Sequence, residues 1–213
     1  VSTPGEDDAR GAVVAAARRL HALGLNPGRS GNASRRWGEG FLVTPSGLAY
    51  DRLGPADIVF VDREGAAHGT RPPSSEWRLH RDVYARRPEA GGIAHTHSPF
   101  ATTLACLRRA IPPFHYEVAF AGGADIRCAP YATFGTQELS DLALAALEGR
   151  RACLLANHGA VAIGAALEEA VELAERVEAL ARLYCQALPL GEPALLDEVE
   201  MARVAAKFRT YGR

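Results

Sequence analysis

Apolar positions recur every three to four residues at the start of the chain. Val13, Ala17 and Leu20 share one face between Glu6 and Leu23, and Gly24 stands where a helix commonly ends. The spacing predicts a helix there. The period then shortens: Ala33 to Trp37 and Phe41 to Thr44 read as a strand hairpin, and Ile58 to Val61 as a buried strand before a turn at Asp62 to Gly65. After Pro72-Pro73, Ser74 or Ser75 is placed to cap a helix running to about Arg86, with Leu79 and Val83 inward. Gly92 to Thr96 is a predicted strand and Phe100 to Leu107 a short helix, while Glu117 to Phe120 and Ile126 to Ala129 form two strand candidates around Gly122-Gly123. Thr136 caps a predicted helix to about Leu147. Ala152 to Ala156 and Ala160 to Ile163 read as strands, Ala166 to Leu188 as the longest helix, and Pro193 to Phe208 as the last. Short strand-turn-strand segments among helices predict an α/β fold whose sheet is not purely parallel.

Composition narrows the function classes. With 213 residues and no break in character along the chain, residues 1–213 are expected to form a single domain. A formal net charge of -1 provides no basic field for nucleic acid or acidic lipid, and no apolar run approaches the roughly 18 residues of a membrane span. Cys106, Cys128, Cys153 and Cys185 are scattered, with no leader-like segment ahead of them, so reduced thiols and a cytoplasmic location are expected.

Three histidines carry the chemistry. In Ala94-His95-Thr96-His97-Ser98, residues i and i+2 of a strand project to the same face, so both imidazoles can aim at one ion; two unrelated surface histidines are the plainer alternative. His158, in Asn157-His158-Gly159, follows another short apolar strand and supplies a third ligand, leaving a position open as a Lewis-acid metal requires. His21, His68, His80 and His115 lack such context and read as surface or packing residues. Ser30-Gly31-Asn32, Thr44-Pro45-Ser46-Gly47 and Ser74-Ser75-Glu76 each either make turns and caps or offer hydroxyls and amides to a phosphate. Tyr116 is either a packed tyrosine or an acid–base phenol. Lys207, near the chain end, is the only lysine, so Schiff-base carbonyl chemistry has no pocket lysine to use. No Walker loop, dinucleotide fingerprint or serine-hydrolase elbow is present.

Taken in order, Ser30-Gly31-Asn32, Thr44-Pro45-Ser46-Gly47, Ser74-Ser75-Glu76, His95-x-His97 and Asn157-His158-Gly159 resemble the class II aldolase/adducin family over nearly the whole chain. Ile111-Pro112-x-x-His115-Tyr116, the Cys128 to Thr136 segment and Lys207-Phe208-x-Thr210-Tyr211-Gly212 resemble its members that cleave L-fuculose 1-phosphate. The resemblance implies a three-layer α/β/α fold with a largely antiparallel mixed sheet, assembled as a homotetramer with active sites between subunits. It implies one zinc ion, exchangeable for Mn or Co, on His95, His97 and His158, with Glu76 as fourth ligand at rest and proton carrier during catalysis. Phosphate would be held by Gly31, Asn32, Ser46, Gly47, Ser74 and Ser75. Tyr116 would reach into a neighbour's site, and Phe134 and Tyr211 would line the aldehyde side. The implied reaction is reversible retro-aldol cleavage of L-fuculose 1-phosphate, or a similar ketose 1-phosphate, to dihydroxyacetone phosphate and a small aldehyde, L-lactaldehyde. The alternatives within the family are L-ribulose-5-phosphate 4-epimerase, which typically has Asp at the position of Glu76 and lacks the Tyr131 to Thr136 segment, a sugar-acid phosphate decarboxylase, and a methylthioribulose-phosphate dehydratase. An adducin-like interaction domain would have lost metal ligands that this chain retains.

Overall fold

A computed structural model describes residues 5–208. Eight strands form one sheet: β1 (Asn32–Trp37), β2 (Gly40–Val43), β3 (Val59–Val61), β4 (Ala67–His68), β5 (Gly92–Thr96), β6 (Cys128–Ala129), β7 (Ala152–Leu155) and β8 (Gly159–Gly164). Their order is β4-β3-β2-β1-β5-β8-β7-β6, antiparallel throughout except for the parallel β6–β7 pair. The helices are α1 (Glu6–Ala22), α2 (Trp77–Arg86), α3 (Pro99–Cys106), α4 (Gln137–Ala146), α5 (Leu167–Ala187) and α6 (Glu198–Phe208). The result is a single α/β domain in three layers, with the mixed, mostly antiparallel sheet in the middle.

Side chains that alternate along the strands explain the two helical layers. On β8, Ala160 and Ala162 face the core shared with α1, α3 and α5, while Val161 and Ile163 face the core under α2 and α4. Small residues on the first face let α5 lie close on the centre of the sheet. Gly92 marks the tightest approach: a Cβ there would stand 2.2 Å from the Leu167 Cα at the start of α5. The branched residues of the second face instead fill the wider gap to α2 and α4, with Leu79, Val83, Leu139 and Ala143 opposite them.

Most of the predicted elements form, and the differences have local causes. Thr136 does cap α4, its hydroxyl accepting from the Leu139 amide at 3.2 Å. Neither Ser74 nor Ser75 is the cap residue of α2; Glu76 occupies that position and its side chain makes no capping bond, while the Ser74 hydroxyl accepts from the Glu76 amide at 3.3 Å. Glu117 to Phe120, predicted as a strand, belongs to a 3-10 turn over Tyr116–Ala121, whose apolar residues pack against α5 and α6 instead of pairing at a sheet edge. Ile126 forms only an isolated bridge with Ile111, and β6 begins at Cys128. The two-residue β4 was not predicted, and α6 starts at Glu198 rather than Pro193. Phe208 ends α6 stacked on Phe120, ring centroids 3.9 Å apart. The four cysteines are free thiols, and among the described residues no helix is long and apolar enough to cross a membrane.

Candidate metal centre and substrate cavity

β5 runs through the middle of the sheet between β1 and β8, so each of its side chains is buried. The register sets Asn32 of β1 and Val161 of β8 on either side of His95. The strand ends at Thr96, so His97 lies one residue beyond it, in the connection to α3. Its backbone amide donates to Asn26 Oδ1 at 3.3 Å, which fixes it without strand pairing. His158 sits in the tight turn between β7 and β8, where Asn157 takes a left-handed φ of 56° and the His158 amide closes on the Leu155 carbonyl at 3.0 Å. Glu76 arrives from the opposite layer, at the start of α2.

These four residues converge. One ligand atom from each of Glu76, His95, His97 and His158 lies within 4.8 Å of the others. Glu76 Oε2 is 3.0 Å from His95 Nε2, Glu76 Oε1 is 3.3 Å from His158 Nε2, and the His95 and His97 Nε2 atoms are 3.0 Å apart. The three rings stand nearly perpendicular to one another, with centroids 4.8 to 4.9 Å apart. His95 Nδ1 must donate to the Ala160 carbonyl, 3.0 Å away, because a carbonyl only accepts; this directs Nε2 at the cluster. Glu76 Oε1 is buried and receives no hydrogen bond. A buried anionic oxygen without a donor is costly, and a cation among three imidazoles removes that cost. The residues are the donor set of a divalent metal site.

The electrostatics agree. Burial opposes ionisation of Glu76, but His95, His158 and the Asn32 amide outweigh it and hold the carboxyl well below its ordinary range. Burial and the neighbouring imidazoles push His97 down to about 3, and burial with His95 takes His158 down to about 4, so both are neutral ligands at neutral pH. Burial alone would lower His95, yet the Glu76 carboxylate raises it. Without a metal, His95 is therefore the ring that takes up a proton.

Behind Glu76 runs a buried chain of hydrogen bonds. Asn32 Nδ2 donates to Glu76 Oε2 at 3.0 Å, which leaves Asn32 Oδ1 to accept from His80 Nε2. His80 Nδ1 then accepts from the Ser34 hydroxyl at 2.6 Å, and Ser34 in turn accepts from Tyr84 OH at 2.8 Å. Every donor in the series points toward the carboxylate. Burial pushes His80 down to about 3, keeping it neutral, and the Asn32 carbonyl oxygen, which only accepts, sets the proton on Nε2. His80 is a packing residue as predicted, but one tied to Glu76. Nothing in the sequence distinguishes it beyond its place one helical turn after Glu76, on the same face of α2.

A cavity of about 280 Å³ opens above the centre. It is lined by Gly31, Asn32, Ser46, Gly47, Ser74 and Ser75, together with Arg29, Ser30 and Pro45; by Glu76, His97 and His158 of the cluster; and by Tyr131, Ala132, Phe134 and Asn157. The hydroxyl-bearing segments are held rigidly. Ser74 N donates to Thr44 O at 3.0 Å and Ser46 N to Pro72 O at 3.1 Å, stitching two of them together around a Pro45–Pro73 bridge. Tyr50 OH bonds the carbonyls of Ser30 and Gly31. Gly31 has φ 77°, and a Cβ there would fall 2.3 Å from Asn26 Oδ1, so no other residue fits without moving Asn26 away from His97.

One predicted site residue stands apart. Tyr116 is 47 % exposed and does not line its own chain's cavity; its hydroxyl bonds Glu117. Tyr211 lies outside the described residues. Lys207 is on α6, also away from the cavity lining. Arg29, His80, Ser34 and Tyr84 were missed by sequence reasoning.

The profile of the Class II Aldolase and Adducin N-terminal domain matches residues 11–185. The chain belongs to the class II aldolase/adducin family. A 5-methylthioribulose-1-phosphate/5-deoxyribulose-1-phosphate aldolase of Rhodospirillum rubrum is 57 % identical over 203 residues, covering 95 % of this chain and 92 % of its own. An L-fuculose phosphate aldolase of Escherichia coli (strain K12) is 44 % identical over 201 residues, covering 94 % of each. The solved structure of an L-fuculose 1-phosphate aldolase superposes with a TM-score of 0.92 at 41 % identity, covering 95 % of this chain and 96 % of that one. With relatives that are aldolases and a three-histidine, one-glutamate cluster of its own, this member of the family is a metal-dependent aldehyde-lyase.

Proposed function

We propose that the protein reversibly cleaves a 5-deoxy- or 5-methylthio-substituted pentulose 1-phosphate into dihydroxyacetone phosphate and acetaldehyde or (methylthio)acetaldehyde respectively, with L-fuculose 1-phosphate as a second, weaker substrate. The observation that carries the reading is the cavity itself, whose lining joins hydroxyl- and amide-bearing loops, three of the four metal-cluster residues (Glu76, His97 and His158) and the apolar Tyr131, Ala132 and Phe134. A phosphate suits the loops and a methyl or methylthio tail the apolar residues. The higher identity to the Rhodospirillum rubrum aldolase than to the L-fuculose phosphate aldolase of Escherichia coli favours the same substrates.

In this reading Gly31, Asn32, Ser46, Gly47, Ser74 and Ser75 hold the phosphate through backbone amides and hydroxyls. His95, His97 and His158, with Glu76 at rest, hold one divalent ion, which we take to be zinc; Mn and Co suit the same donors. When bound, the ion supplies Lewis-acid polarisation of the ketose carbonyl, so that the electrons of the C3–C4 bond can be accepted as it breaks. Cleavage moves one proton from the C4 hydroxyl to C3 with no net gain or loss. Glu76, a carboxylate aimed at the cluster at rest, takes up one proton as the C4 hydroxyl loses one, delivers it at C3, and removes it in the direction of synthesis. Tyr116 of a neighbouring copy manages the proton at the C4 hydroxyl, its exposure outside its own cavity suiting a role across a subunit boundary in a homotetramer. Phe134, and Tyr211 at the chain end, close the aldehyde side.

The test is a substrate comparison at matched zinc loading. We expect kcat/KM for 5-deoxyribulose 1-phosphate and 5-methylthioribulose 1-phosphate to exceed that for L-fuculose 1-phosphate by about tenfold, the scale on which an apolar pocket separates tails differing by one polar carbon. Preference for L-fuculose 1-phosphate would reverse the order of substrates. Epimerisation of L-ribulose 5-phosphate with no dihydroxyacetone phosphate released from any ketose would overturn the aldolase reading.

A further inference from the structure

The side of the cavity assigned above to phosphate is built from neutral groups, apart from one. Among the described residues lining the cavity, Arg29 is the only side chain with a permanent positive charge; the others are glycines, hydroxyls, amides, aromatic or aliphatic groups, the neutral imidazoles and the anionic Glu76. Its place is not accidental to the loop. Gly28 and Gly31 bracket the segment with left-handed φ values of 65° and 77°, Ser30 Oγ bonds Pro27 O at 2.7 Å, and Tyr50 OH bonds Ser30 O at 2.6 Å. The backbone beneath Arg29 is thus fixed from both sides. The guanidinium reaches across the mouth of the cavity to the next hydroxyl-bearing segment, where Nη1 donates to the Gly47 carbonyl at 3.3 Å. One donor is committed there. A guanidinium has five N–H donors in a planar fork that matches phosphate oxygens, so the remaining ones are open to an anion seated between the two loops.

Resting on the phosphate assignment of the proposed function, we infer that Arg29 is a substrate-binding and specificity residue. It clamps the phosphate dianion across the Pro27–Gly31 and Thr44–Gly47 loops and selects phosphorylated ketoses over their free sugars. It acts on binding rather than on the chemical step, since its hydrogen bond is to the Gly47 carbonyl and it forms no hydrogen bond or ion pair with Glu76 or the histidines. Because Arg29 is exposed and makes one bond to a carbonyl, its replacement leaves the fold intact.

The experiment is titration of the zinc-loaded protein with inorganic phosphate by calorimetry, for the wild type and for Arg29→Ala and Arg29→Lys, alongside steady-state kinetics with the best ketose 1-phosphate. Arg29→Ala should weaken phosphate binding and raise KM by about ten- to a hundredfold, the range of one charge-assisted hydrogen-bonded pair, with kcat within about threefold of wild type. Arg29→Lys should recover part of the loss, because it restores the charge without the fork. Phosphate affinity and KM unchanged in Arg29→Ala, against a wild type that binds phosphate, would overturn the role of Arg29 and leave the phosphate pocket standing. A zinc-loaded wild type that binds no phosphate would overturn the pocket assignment and the role of Arg29 together.

Discussion

The two ends of the cavity are built on opposite plans. The metal end is made of side chains: His95 from a central strand, His97 and His158 from turns at the ends of strands, and Glu76 from the start of a helix in another layer, two of the four wholly or nearly buried. The end we propose for phosphate is made largely of backbone, three glycine- and hydroxyl-bearing loops fastened by main-chain hydrogen bonds and open to solvent at Ser46, Gly47 and Ser75. Charge explains the difference. Converging nitrogens and a carboxylate must be held against mutual repulsion and desolvation until a cation arrives, which needs a rigid buried frame. A phosphate brings its own charge and meets ready-made N–H groups, so exposed loops suffice. Substitutions at the metal end should therefore strike turnover, and those at the other end binding.

Glu76→Gln gives the largest expected effect. It keeps the size and one ligand oxygen of Glu76 but not a group that can carry the proton, so kcat should fall by about 10²- to 10⁴-fold, the usual contribution of a positioned acid or base. Metal content measured by emission spectroscopy should stay near one ion per chain. Turnover close to wild type would remove Glu76 from proton transfer.

Next comes the hydrogen-bond chain behind it. His80→Leu strips Asn32 Oδ1 of its donor and the Ser34 hydroxyl of its acceptor, so the Asn32 amide is free to turn away from Glu76. We expect a loss of about 10- to 100-fold in metal affinity or kcat, the range seen when a partner of a metal ligand is removed. His80→Gln, which can still present an N–H to Asn32, should regain much of it. Equal defects in both variants would show that His80 matters only as packing, and a thermal melt of each distinguishes unfolding from misplacement.

Proton competition sharpens the contrast through pH. The His95 value is raised in the metal-free chain by Glu76. That ion pair contributes its full stability below the ordinary histidine range and loses it as pH rises through the raised value. A metal must displace this one proton. Below the raised value, apparent zinc affinity should fall by about tenfold per pH unit. His97 at about 3 and His158 at about 4 are already neutral and release none. Calorimetry in buffers of different ionisation enthalpy should count close to one proton per ion near pH 6; two or more would contradict the assignment. The smallest effect belongs to Phe134→Ala on the exposed aldehyde side, where lost apolar contact should raise the KM for the aldehyde in the condensation direction by about three- to tenfold. No change there would place the tail elsewhere.

Much of this contrast was legible in the chain. The strand patterns of Gly92 to Thr96 and Ala152 to Ile163 carried the histidines to one end of the sheet, and the Ser–Gly–Asn, Pro–Ser–Gly and Ser–Ser–Glu segments marked the loops of the other end. Ser74 and Ser75 misled as helix caps because capping and anion binding use the same hydroxyls, and the bond of the Ser74 amide to the Thr44 carbonyl, which ties this segment to the neighbouring loop, is a tertiary contact that no local pattern shows. Glu117 to Phe120 misled as a strand because four residues are too few to tell a strand from a 3-10 turn by period alone. His80, Ser34 and Tyr84 were invisible because their relation to Glu76 is a matter of register between β1 and α2. Arg29 was masked as one arginine among 23.

Release of dihydroxyacetone phosphate from 5-deoxyribulose 1-phosphate, followed in the purified protein before chelation, after it, and after zinc is returned, tests the central claim most directly. The account predicts cleavage that chelation abolishes and zinc restores. Cleavage that persists in a protein shown to be metal-free, or no cleavage of any ketose 1-phosphate by a protein shown to carry zinc, would contradict it.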